Sequence, residues 1–375
     1  YEPVPFEAAR AWMFEAALPL WAERGVDRVD GGFYEELDAE GRPTACDFKR
    51  VRVMCRQIYV FSHGAVLGWK QGADISEWGY KYLVTQARLR EGGWARVLSR
   101  RGAVIDATID LYELAFVIFA MAWRYRASGD PEARAHALDT LEFIRTRMRA
   151  PNGGFWHSLP LTGTREQNPH MHLAEACLVA FEATGEEVFL DTAREVVQLF
   201  ATRFFDPRTL GERFDQTWAR VGGGGVEPGH HFEWTWILAH YQRLTGDPVG
   251  TLAARSAEFA ERYGVDPGTH AVYDALSQEG DVLESSSRIW TNTERIKAAL
   301  GLFELDGRDP RPALSSSCRL IFGRYFANDI PGLWTDRFDG MGKPMTTATP
   351  ASCVYHLFLA FSEMLRLEPQ IAKLP

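Results

Sequence analysis

The chain reads as an all-α protein, an (α/α)6 barrel of six helix pairs in one domain over residues 1–375. Three observations predict this. A glycine-plus-aromatic turn recurs six times, paired helical segments fill the intervals, and ionisable residues keep the same beat.

The turns are "DGGFYEEL" (30–37), "EGGWARVL" (91–98) and "NGGFWHSL" (152–159), then weaker echoes in "GERFDQ" (211–216), "HAVYDAL" (270–276) and "GLWTDRFD" (332–339). Their aromatic marks, Phe33, Trp94, Phe155, Phe214, Tyr273 and Trp334, lie 61, 61, 59, 59 and 61 residues apart. A steady period of this length marks a structural repeat in which each unit buries its apolar face against the next.

Between the marks, apolar residues recur at helical spacing. "DLYELAFVIFAMAWRYRASGD" (110–130) is almost wholly apolar at its centre, which predicts a helix covered on most sides. "PEARAHALDTLEFIRTRMRA" (131–150) is amphipathic, with arginines on one face, as a surface helix should be. The same alternation recurs in 170–185 with 187–205, and in 232–247 with 250–264. Each unit is thus one buried helix, one surface helix and one turn. An open solenoid is the alternative arrangement of the same pairs. Six units suit closure, and the inner helices are more apolar than a concave groove needs.

Composition agrees. With 46% hydrophobic and 13% aromatic residues, the chain has ample material for a large core. A net charge of −9 without a basic run argues against nucleic acid or an anionic membrane as partner. The longest apolar run, "LAFVIFAMAW" (114–123), is about half a membrane span. Five scattered cysteines, Cys46, Cys55, Cys177, Cys318 and Cys353, fit a reducing compartment better than a disulfide framework. "YEPVPFEAARAW" has no secretion signature, so a cytoplasmic monomer or homodimer is expected.

The ionisable residues Arg52, Glu113, His172, His230, Glu294 and His356 stand at inner-helix starts, 61, 59, 58, 64 and 62 residues apart. Singly, each has an ordinary structural explanation as a cap, a core residue or an ion pair. Jointly they predict a pocket at the barrel mouth. A metal site would draw on His170, His172, His230, His231 and Glu233. Residues i and i+2 diverge on a helix, however, and no H-E-x-x-H pattern is present, so no metal or other cofactor is expected. Glycoside hydrolysis would need two carboxylates, such as Glu233 with Glu113 or Glu294. Proton transfer beside a carbonyl would use a histidine pair, with Glu233, three residues from His230, fixing a tautomer and an arginine holding the enediolate. Among the tryptophans, Trp94, Trp156, Trp234, Trp290 and Trp334 are candidates for stacking on a sugar. "GMGKPM" (340–345) lacks the spacing of a phosphate-binding loop.

The motifs "KRVRVMCRQIYVF", "NPHMHLAEA", "EPGHHFEW", "RIWTNTERIKA" and "PASCVYHL", in that order, resemble the N-acylglucosamine 2-epimerase family over about residues 30–365. That family includes mannose isomerases, cellobiose 2-epimerases and related aldose–ketose isomerases. The resemblance implies an (α/α)6 barrel and a catalytic pair at His230, partnered by Glu233, and His356. It also implies ring opening by His172 beside Asn168, an arginine at Arg52, and a packing or wall role for His231. Two departures stand out: Thr291-Asn292-Thr293-Glu294 replaces P-Q-T-E, and Glu113 in "DLYELA" replaces an aspartate. The implied activity is a cofactor-independent sugar isomerase or 2-epimerase, mannose to fructose first. Glu113, Asn168, Glu233, Glu294, Trp290 and Trp94 join Arg52 as expected substrate contacts. N-acetylglucosamine 2-epimerase is the alternative within the family; a glycoside hydrolase or a non-catalytic sugar-binding barrel lies further off.

Overall fold

Helices alternate as the periodicity predicts. The computed structural model describes residues 3–206 and 208–375. Twelve helices run through them: α1 (6–24), α2 (Val51–Val66), α3 (Gln71–Ala87), α4 (Leu111–Ser128), α5 (Pro131–Arg147) and α6 (Gln167–Thr184), then α7 (187–204), α8 (Pro228–Thr245), α9 (Gly250–Tyr263), α10 (Ile289–Asp306), α11 (311–325) and α12 (351–371). Even-numbered helices form the inner ring and odd-numbered ones the outer. The burial patterns follow the sequence. Inner α4 buries Leu111 and Glu113 through Arg124 without a break. Outer α5 buries only the stripe Ala133, His136, Ala137, Thr140, Leu141 and Ile144.

Inner helices end and begin alike. Four of them stop at glycines with φ of 70–75°, Gly129, Gly185, Gly246 and Gly307, a left-handed cap that other residues adopt only with strain. Their starts are extended residues paired with the next unit's hairpin: Arg50 with Val97, Asp110 with Ser158, Glu166 with Arg213, and Arg288 with Arg337. Val226 makes the equivalent bridge to Leu276. The sixth pairing wraps round to the first unit, Pro350 with Glu36. The array is therefore a closed ring and not a solenoid. Helix α12 packs on α2, and α1 supplies the outer partner of α12. Arg10 Nη2 reaches Glu368 Oε2 at 2.6 Å, and Trp12 stacks on Phe326 at 4.6 Å. Helix α8 begins at Pro228, four residues ahead of the periodic stretch from 232. Proline at the first helical position has the right φ and lacks an N–H that would otherwise go unpaired.

A second joint ties hairpins to inner helices. His170 Nδ1 donates to the Glu166 carbonyl at 2.8 Å, and its Nε2 accepts the Phe155 N–H at 3.0 Å. His231 repeats this with the Glu227 carbonyl and the Leu210 N–H, at 3.0 and 3.1 Å. At the third equivalent position Asn292 bonds the Arg288 carbonyl at 2.9 Å and the Val272 N–H at 3.0 Å. All three are buried. His231 is thus a structural residue, and the Asn292 departure from P-Q-T-E lies in a structural joint. All five cysteines are free thiols. No helix among the described residues is long and apolar enough to cross a membrane.

Candidate active site

The first two turns of the inner helices surround a cavity of about 280 Å³, room for one small polar molecule. Of the expected residues, Arg52, Asn168, His172, His230, Glu233, Trp290 and His356 line it. Trp290 stands between two of the histidines, its ring centroid 5.5 Å from His230 and 5.4 Å from His356.

The other three expected contacts lie elsewhere. Trp94 belongs to the packing between hairpin and outer helix: its Nε1 donates to Thr140 Oγ1 at 2.9 Å and its ring meets His136 edge-on. It faces the outer layer because it is a turn residue, and the turn's aromatic packs outward. Glu113 is fully buried behind Arg52, accepting from its backbone N–H and its Nε. Burial pushes Glu113 up to about 7 against the pull of Arg52. Glu294, also fully buried, sits behind His356, with Oε1 2.7 Å from Nδ1. Both glutamates orient a lining side chain and do not line the cavity themselves.

His230 also differs from expectation. Its Nδ1 lies 3.0 Å from both oxygens of Glu212, not against Glu233. Glu212 is anchored by Gln167 Nε2 at 2.8 Å and the Glu227 N–H at 3.2 Å. Trp234 Nε1 in turn donates to Gln167 Oε1 at 2.7 Å. Burial opposes charge on His230, yet Glu212 and Glu227 outweigh it and raise the imidazole to about 10. His356 is the opposite case: burial, reinforced by Arg56 and Lys297, holds it well below the ordinary imidazole value. It is a neutral ring donating Nδ1–H to Glu294, which leaves Nε2 basic. His172 is neutral too, taken down to about 4 by burial despite the Glu175 oxygen 3.1 Å from Nδ1. Glu233 Oε1 is 3.9 Å from the same nitrogen. Burial, with Glu294 adding to it, raises Glu233 well above the ordinary carboxylate value.

Arg56 was missed. It follows Arg52 by one turn, so "RVMCR" places both on one helix face. Its partners are neutral: Nη1 donates to the Ser352 carbonyl at 3.1 Å and Nη2 to Tyr112 Oη at 2.6 Å. The rings of Phe116 and Tyr355 flank the guanidinium at 4.4 and 5.0 Å. The mouth arginines are instead matched to carboxylates: Arg50 to Glu35, Arg52 to Glu113, and Arg288 to Asp274 and Glu227. Tyr112, Glu227, Asp336, Ser352 and Cys353 also line the cavity, and sequence reasoning named none of them as site residues.

Two groups of metal-ligand type have their atoms within 4.8 Å: His172, Glu175 and Glu233, and Glu233, Glu294 and His356. The Lys297 ammonium is already at these carboxylates, 2.8 Å from Glu294 Oε2. A dication there would face an ammonium at contact range, so the donor set fits a metal poorly.

Comparison with known proteins agrees with this architecture. The family model of N-acylglucosamine 2-epimerase matches residues 32–360. The chain belongs to that family. It is 33% identical to a protein named mannose-6-phosphate isomerase from Rhizobium meliloti (strain 1021), over 94% of this chain and 95% of the other. It is 28% identical to D-mannose isomerase from Thermobifida fusca, over 97% and 96%. The solved structure of cellobiose 2-epimerase from Spirochaeta thermophila DSM 6192 superposes with a TM-score of 0.88 at 22% identity, covering 98% and 97%. This member of the N-acylglucosamine 2-epimerase family is an isomerase or epimerase with an (α/α)6 barrel.

Proposed function

We propose that the enzyme isomerises a free hexose, mannose to fructose, through a cis-enediol without a cofactor. The observation that carries this reading is the contrast between two histidines on one cavity, both near Trp290: Glu212 at His230 Nδ1 raises that ring to about 10, whereas burial holds His356, bonded to Glu294, well below the ordinary imidazole value. An acid and a base poised together are what proton transfer at C2 requires.

In this reading His172 assists ring opening: its Nε2 takes the anomeric hydroxyl proton and passes it to the ring oxygen O5 as the C1–O5 bond breaks, which leaves His172 neutral again. His356 Nε2 then removes the C2 proton. The C1–C2 double bond forms, and His230 gives its proton to O1. Arg56, free of any matched carboxylate, stabilises the oxyanion as charge builds. His356 returns its proton to C1 while O2–H yields its proton to His230, which makes the ketose and restores both histidines. Return to the opposite face of C2 would instead make the epimer. Asn168 Oδ1 and Glu233 Oε1, buried and without partners among the described residues, suit sugar hydroxyls.

A neutral sugar is favoured over a phosphorylated one because Arg50, Arg52 and Arg288 at the mouth already face carboxylates. Names among the relatives point both ways: D-mannose isomerase and mannose-6-phosphate isomerase. The test is incubation in D2O, in chelator-treated buffer, with mannose, mannose 6-phosphate, glucose, fructose or N-acetylglucosamine, followed by proton NMR. Deuterium at C1 of fructose formed from mannose is expected. Turnover of mannose 6-phosphate alone would overturn the choice of substrate, and absence of exchange with every sugar would overturn proton transfer.

A further inference from the structure

Beneath the cavity floor lies a charge cluster of which the reaction above uses only Glu233 directly. Lys297, on α10, is fully buried, as is Glu294 one turn before it. Its ammonium lies 2.8 Å from Glu294 Oε2 and 4.5 Å from the centroid of the Trp236 ring. Glu175 from α6 and Glu233 from α8 share this pocket, and Tyr355 Oη from α12 donates to Glu175 at 2.7 Å. Each of the three carboxylates touches or approaches a histidine of the cavity: Glu175 is 3.1 Å from His172, Glu294 is 2.7 Å from His356, and Glu233 is 3.9 Å from His172.

We infer that Lys297 is a positioning residue for the proton transfer: its ammonium favours the ionised Glu294 carboxylate, which holds His356 as the Nδ1–H tautomer with Nε2 free to act as base. The inference rests on His356 being the base of the proposed reaction. Burial alone would protonate a carboxylate at this depth. A protonated Glu294 would donate to His356 Nδ1, moving the ring proton to Nε2 and leaving no base at the cavity. The ammonium at Oε2 opposes this, so that burial raises Glu294 to about 7 and no further, and the carboxylate is ionised above neutrality. Two other cations act on His356, Arg56 from α2 and, when it is charged, His172 from α6. Neither is in contact with Glu294, so Lys297 alone supplies the matched charge at that carboxylate.

Lys297→Met tests this through the pH profile. With the ammonium gone, Glu294 ionises only at higher pH, so the acid limb of kcat should rise by roughly 1–3 pH units, the usual effect of one contacting opposite charge. Turnover is then weak at neutral pH and recovers in alkali, with KM little changed. Lys297→Arg, which keeps the charge, should restore the limb to the wild-type position. A loss in Lys297→Met that is uniform across pH would mark a merely structural residue and overturn the inference. Should Lys297→Met fail to fold, 15N NMR of histidine-labelled wild-type enzyme decides, with His356→Asn for assignment. A pyrrole-type Nδ1 and pyridine-type Nε2 are expected in mild alkali, where Glu294 is ionised, and the reverse tautomer there overturns the inference. The NMR readout needs no turnover, so it stands apart from the choice of substrate and reaction.

Discussion

Replacing Glu212 by glutamine should convert His230 from an acid that works across the neutral range into one that fails above it. Both Glu212 oxygens lie 3.0 Å from His230 Nδ1, and this carboxylate is the main force raising the imidazole from 6.5 to about 10. At 1.36 kcal/mol per unit, that difference is about 5 kcal/mol in favour of the charged ring. An amide keeps the shape and the burial but removes the charge, so the ring falls to its ordinary value or lower. At pH 8.5, some two units above 6.5, about 1% of His230 would then remain protonated, and turnover should drop about 100-fold. The assay is ketose formation from mannose between pH 6 and 10. Wild type should hold its activity until the ring titrates near 10, whereas the variant's alkaline limb should begin below 7. Stability has the same sign. Because the folded value exceeds the unfolded one, the His230 contribution is full below about 6.5 and fades as pH rises towards 10. Wild-type melting temperature should decline across that window more steeply than the variant's. A folded Glu212→Gln enzyme with its alkaline limb unmoved would refute the role of Glu212 and the assignment of His230 as acid.

Two further substitutions separate neighbouring residues. His231→Asn copies the joint that Asn292 already makes, so kcat should stay near wild type, while loss of the Phe259 stack at 5.0 Å lowers stability by about 1–3 kcal/mol in a denaturant melt. His230→Asn, one residue earlier, should abolish turnover under the same assay. Arg56→Gln removes the lining cation whose hydrogen-bond partners are neutral, and kcat should fall by about 10²–10³-fold with a smaller effect on KM if it stabilises the oxyanion as proposed. Equal loss in Arg52→Gln and Arg56→Gln would contradict the distinction drawn between a matched and an unmatched arginine.

Periodicity made the barrel legible because each unit must bury the same faces against its neighbours, and the turn must recur wherever the chain changes layer. The histidines were legible for the same reason: His172 and His356 interrupt apolar helices at the sixth residue after each extended N-cap, and His230 does so three residues nearer its own. Glu212 was harder to see. It lies in a turn already explained by its aromatic neighbour Phe214, and no local spacing links a turn residue to a helix start 18 positions later. Trp94 failed as a sugar contact because every turn carries such an aromatic, and the repeat that made it conspicuous is the repeat that packs it away from the axis. Lys297 was invisible as a functional group because a lysine in a helical pattern normally reads as surface. Only the fold shows it sealed among three carboxylates.

The ionisable beat in the sequence mixed three helical positions, the second, third and sixth after each N-cap, and sorting them explains why Arg56 lines the cavity. Counted from each extended N-cap, at Arg50, Asp110, Glu166, Glu227, Arg288 and Pro350, the sixth residue onward is Arg56, Phe116, His172, Glu233, Glu294 or His356. Successive members of this set, from Arg56 to His356, approach one another. Arg56 meets the Phe116 ring at 4.4 Å, Phe116 meets His172 at 4.8 Å, and His172 meets Glu233 at 3.9 Å. Glu233 and Glu294 share a 4.8 Å cluster, and Glu294 holds His356 at 2.7 Å. The fourth position in the same count, His170, His231 and Asn292, turns towards the hairpins instead. Two residues along a helix are enough to move a side chain from the barrel axis to the joint that holds the barrel together. One repeated scaffold thus presents a ring of equivalent positions. The chemistry lies in their asymmetry: a cation without a carboxylate, two neutral histidines and two buried glutamates. His230, three residues earlier on α8, stands outside the ring's phase, which is why a turn carboxylate and not Glu233 sets its charge.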